Sequence, residues 1–100
     1  MDPDLPDLSI ADVVVSTAGR DAGKLFYVIE ADDLYLLLVN GKDRTMDKPK
    51  RKKRKHTKKV LRSETRVAEK LRNGDKVLSS ELRRDLAYLS REMQSNPQGG

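Results

Sequence analysis

Between residues 10 and 46 the apolar side chains come in short runs and not at helical spacing. Val13-Val14-Val15, Leu25-Phe26-Tyr27-Val28-Ile29 and the run 35–39 each have strand length and strand-type residues, which predicts three β-strands. The connectors agree. Gly19-Arg20-Asp21-Ala22-Gly23 reads as a glycine-bracketed turn, Asp32-Asp33 as the close of a tight hairpin, and Asn40-Gly41 as the strongest short turn signal of the chain. Thr45-Met46 reads as the start of a fourth strand, which Pro49 confines to a sheet edge.

From Ser63 the period changes. Ser63 is placed to cap a helix reaching about Arg72, with Val67, Ala68 and Leu71 on one face and Asn73-Gly74 as its stop. Ser79 or Ser80 is placed to cap a second helix, on which Leu82, Leu86, Leu89 and Met93 form one apolar stripe. That stripe is a packing face against the strands or the first helix; a partner-binding or dimerising helix is the alternative. The predicted organisation is an acidic, Pro-bearing, disordered lead-in (1–9), a β domain (10–60) containing a basic segment (48–59), a helical extension (61–94) and a disordered tail (95–100).

Charge alters this picture most at residues 48–59, KPKRKKRKHTKK, where nine of twelve residues are Lys or Arg. Residues 1–47 carry net −6, residues 48–62 net +10 and residues 63–100 net +1, so a formal +5 conceals an acidic front and a basic middle. Nine cations are too many for a small core to bury, which places the run in solvent or against a polyanion. The absence of cysteine excludes disulfides, thiolate metal sites and cysteine nucleophiles, and a single His is too few for a histidine metal cluster. No metal or cofactor is expected. The acidic N-terminus is unlike a signal or transit peptide, and the longest apolar run, 34–39, is far too short to span a bilayer. A soluble, cytoplasmic protein without a membrane partner is the expectation.

Read in order, VVVSTAGRDAGKLFYVIEADDLYLLLVNGKDRTMDKPKRKKRKH resembles the KOW domain of the ribosomal protein L14e/L6e/L27e type, and in particular the small bacterial KOW-containing RNA-binding proteins. The likeness rests on a β-branched strand, A-G-R-D-A-G-K, two further strands about a two-Asp turn, a Gly-Lys turn and a K-P-K-rich segment. It covers roughly residues 12–60. It implies a mainly β protein, a small SH3-like β-barrel with a C-terminal two-helix appendage, and RNA or ribosome binding. Such domains dock a last strand through apolar residues near the end of the basic segment, where this chain has Arg54 and Thr57. Order in residues 52–59 without RNA is therefore left open.

The candidate sites follow. Gly19–Lys24 is not a phosphate-binding P-loop: three residues separate the glycines where four are required, and Leu25 stands where Ser or Thr would bind magnesium. It is a turn whose glycines supply positive φ and from which Arg20 and Lys24 project. The basic run has three readings: a solvated tract, a nuclear-import address, or a contact to nucleic-acid phosphates. Beside a KOW-like domain the third is preferred, with Arg20, Lys24, Lys42, Arg44, Lys50, Arg51, Lys52, Lys53, Arg54, Lys55, Lys58 and Lys59 as the RNA-binding set. Phe26 and Tyr27 are adjacent in a strand and so face opposite ways. One is core, and the other, like Tyr35, is a candidate platform for a stacked base. His56 has no catalytic partner nearby, Asp32-Asp33 is a turn former, and no constellation supports an enzyme or a small-molecule substrate. The expected function is a non-catalytic RNA-binding protein associated with ribosomal or other structured RNA and with translation. The alternative is a module docking on RNA polymerase or a ribosomal protein.

Overall fold

The computed structural model describes residues 8–95, so most of the acidic lead-in and nearly all of the tail lie outside the described residues. The element order is β1 (Asp12–Ser16), β2 (Leu25–Ala31), β3 (Tyr35–Val39), β4 (Lys50–Lys53), a 3-10 turn (Arg54–His56), β5 (Thr57–Arg62), α1 (Arg66–Asn73) and α2 (Ser79–Ser95). The strands form one antiparallel sheet in the order β4-β3-β2-β1-β5. The protein is therefore mainly β with two C-terminal helices. No ladder joins the two end strands, which are connected through the 3-10 turn.

The three strands read from apolar runs are β1 to β3. The β2–β3 hairpin closes where expected: Asp32 Oδ1 accepts from the backbone N–H groups of Leu34 (2.9 Å) and Tyr35 (2.7 Å). These bonds hold the Asp32 carboxyl below its ordinary range. The fourth strand differs from expectation. Thr45 makes only an isolated bridge to Lys48, and the strand proper starts at Lys50, where the chain emerges from Pro49 and pairs with β3. The basic segment thus supplies β4, the 3-10 turn and the first half of β5. Arg54 and Thr57 do not prevent this, because the Thr57 hydroxyl donates to the Arg54 carbonyl at 2.8 Å and steers the chain from turn into β5.

The N-terminal caps of both helices differ from those expected, whereas the Asn73-Gly74 stop of α1 is as expected. Thr65, not Ser63, caps α1, its hydroxyl oxygen accepting from Ala68 N–H at 3.2 Å, while Gly74 closes the other end. Ser79 and Ser80 are already inside α2; Glu81 reaches back to the Leu78 N–H at 3.0 Å, as a Glu at the third helical position can. Ser63 is buried and serves the core instead. The Tyr27 hydroxyl lies 2.8 Å from Ser63 Oγ and donates to the Asp85 carboxylate, which also accepts from the Thr65 hydroxyl at 2.8 Å. Burial first, and then the neighbouring Asp85, push the Tyr27 hydroxyl up to about 12.

The sheet is buried on both faces. Val13, Tyr27 and Val39 lie side by side across β1–β3 and pack against Val67, Ala68, Leu71, Val77, Leu82, Leu86 and Leu89 of the helical region. The apolar stripe of α2 is thus a packing face, except at Met93, which is exposed. On the opposite face Val14, Phe26, Val28, Leu36 and Leu38 form a second cluster, against which Leu8 and Ala31 pack and over which no helix lies among the described residues. Both Phe26 and Tyr27 are fully buried, so neither is a stacking platform. Curling of the sheet is what encloses the second cluster, since a β4 side chain reaches the loop after β1 although two strands lie between them.

Candidate nucleic-acid interface

The side chain that makes this reach is Lys52. In β4 it stands opposite Leu36 and so points to the enclosed face, only 8% exposed. Its ammonium donates to the Ala18 carbonyl and to Asp21 Oδ1, both at 2.7 Å. Asp21 is the centre of this arrangement. It also accepts from the Ser16 hydroxyl at 2.7 Å and pairs with Lys50 at 3.1 Å. Burial alone would raise the Asp21 carboxyl, but the hydrogen bonds from Lys52, Ser16 and Lys50 outweigh it and hold the group well below the usual carboxylate range. The expectation that Lys52 contacts RNA is therefore corrected: its ammonium is spent inside the protein.

The other cations divide by strand face. Arg51 and Lys53 alternate with Lys52 and point outward, and Lys55 and Lys58 are exposed on the 3-10 turn and β5. Arg51 lies over the Tyr35 ring, its guanidinium carbon 3.6 Å from the centroid, a cation–π contact. Arg54 is half-buried and donates to the Asp32 carbonyl at 2.8 Å. Lys59 is paired with the buried Asp12 at 3.3 Å. On the turns, Arg20 and Lys42 are exposed, Arg44 is half-buried, and Lys24 makes an exposed ion pair with Asp43 at 3.4 Å. Gly19 and Gly23 take φ of 85° and 89°, as the turn reading of this loop requires.

Two concave regions gather these cations. A groove of about 300 Å³ is lined by Asp33, Leu34, Tyr35, Lys53, Arg54 and Lys55. A shallower cleft of about 390 Å³ between the turns and α2 brings Lys24 and Lys42 together with Arg83, Ala87 and Ser90. Arg83 donates to the Gly41 carbonyl at 2.6 Å and was not legible as part of any site, because it lies 42 residues further along the chain. In the sequence Asp21 is a turn residue, and nothing local marks it as a lysine partner.

Among the described residues no group of three or more His, Cys, Asp or Glu is arranged to hold a metal ion, and no helix is long and apolar enough to cross a membrane. No family model matches the chain, and no curated protein matches it.

Proposed function

We propose that this is a non-catalytic RNA-binding protein of KOW type, its sheet an SH3-like barrel, which contacts RNA phosphates in a ribosomal or translational setting. The strand order, with a single 3-10 turn between the last two strands, supports the fold reading. The observation that carries the function is the sorting of the basic segment. Its inward lysines are neutralised by Asp21 and Asp12, while Arg51, Lys53, Lys55 and Lys58 are presented to solvent from adjoining elements. The sorting leaves a set of outward cations, fixed in place by the strands, that suits a polyanion. Lysine-dominated contacts of this kind bind the backbone and release counterions, and they read bases little.

The test is the triple variant Lys53→Glu, Lys55→Glu, Lys58→Glu, assayed against a structured RNA over a salt series. Affinity is expected to fall at least tenfold near 0.1 M salt, and the slope of log K against log salt to flatten by about 2 to 3, at about 0.7 to 0.9 per lost contact. Unchanged affinity and slope would remove the phosphate reading and leave docking on a protein as the better account.

A further inference from the structure

Leu34 is the most exposed large apolar residue among the described residues, at 69%. A lone exposed leucine is ordinary. This one is held rigidly in a shared concavity. Asp32 Oδ1 fixes the N–H groups of Leu34 and Tyr35, the Leu34 carbonyl accepts from Arg54 N–H at 2.9 Å, and the Arg54 guanidinium returns to the Asp32 carbonyl. The hairpin tip is thereby clamped to the 3-10 turn, and the groove between them has Leu34 and Tyr35 as its apolar part and Lys53, Arg54 and Lys55 as its cationic part.

We propose that this groove seats one unpaired nucleobase of a single-stranded RNA segment, against Leu34 and Tyr35, while Lys53 and Lys55 take the phosphates on either side. This inference rests on the RNA-binding reading above and names the part of the RNA that the site recognises. A base joins an apolar face to an anionic backbone, which is the combination the groove presents. Asp33 on the same lining disfavours a phosphate within the groove itself and leaves an acceptor for an amino group on a base edge. Tyr35 is held in place for this role, because Arg51 lies over its ring in a neighbouring hollow that Tyr35 also lines.

The experiment is fluorescence anisotropy on the full chain with three labelled RNAs of about eight nucleotides, within the usual site size for such surfaces. One is an unstructured single strand, one has the same backbone with abasic sites, and one is a duplex. The single strand is expected to bind about tenfold more tightly than the abasic strand. Leu34→Ala should abolish that preference without changing the salt slope, and Leu34→Phe should retain it. The charge-reversal triple should weaken both strands alike. Equal affinity for base-bearing and abasic strands, or a Leu34→Ala protein that keeps the preference, overturns the base site. In either case a persisting salt slope keeps the phosphate reading intact. Failure to bind any of the three at low salt overturns both.

Discussion

Asp21 sets the position of more of the basic face than any cation in it. Its carboxylate holds Lys52 inside and Lys50 at the rim, and it ties the turn after β1 to β4. Removing its charge strands a buried ammonium, an outcome that costs about 3 kcal/mol in comparable buried pairs. Asp21→Asn is expected to destabilise the fold by about that amount at neutral pH, read by denaturant unfolding. The pH dependence has a definite sign. The folded-state value lies below the ordinary 3.8, so the stabilisation is fully present above 3.8 and is lost as pH falls below it. Wild type and Asp21→Asn should therefore converge in stability through that acidic window. A difference that stays constant down to the acid limit would refute this assignment. In the sequence Lys52 is one of nine similar cations; only the direction of its side chain, set by pairing with Leu36, separates it from its neighbours.

At the scale of elements, β1 to β3 were legible because their apolar runs have strand length, and the helices because the period changes at Ser63. β4 was not, since a strand made of K-R-K-K carries no apolar alternation and owes its existence to the β3 edge beside it. The misplaced caps have a related cause. Ser63 and Thr65 are equally good caps locally, and the choice falls to Thr65 because Ser63 is drawn into hydrogen bonding with a tyrosine 36 residues earlier. The seat of α2 was equally invisible. A Cβ on Gly41 would overlap the Ser79 carbonyl oxygen and lie 2.8 Å from Leu82 Cβ, so the Asn40-Gly41 turn is where α2 begins its contact with the sheet. Gly41 also takes a φ of 76°. Gly41→Ala is expected to cost more than about 2 kcal/mol, through both the overlap and the backbone strain. A melting temperature within a degree or two of wild type would show that α2 is seated elsewhere.

Over the whole molecule, the two helices are not an addition to a finished β domain. Val13, Tyr27 and Val39 share one buried cluster with apolar side chains of α1 and α2, and the Tyr27–Asp85 bond ties the second strand to the last helix. A chain ending at Arg62 would expose that face, and it is expected to show no cooperative thermal transition by circular dichroism. A sigmoidal melt like that of the full chain would mean that the sheet folds alone. The division of charge along the sequence also acquires a structural meaning. Asp12 and Asp21 come from the acidic front and neutralise lysines of the basic middle, while Arg51, Lys53, Lys55 and Lys58 face outward. The inward lysine has one more effect. β4 ends the sheet, and an unpaired strand of this kind is a template on which a second chain can add a strand of its own. Of its four cations Lys50 and Lys52 are paired with Asp21, while Arg51 and Lys53 face outward, so a second copy brought to this edge meets those two like charges. Like charge therefore disfavours addition of a second copy at this edge.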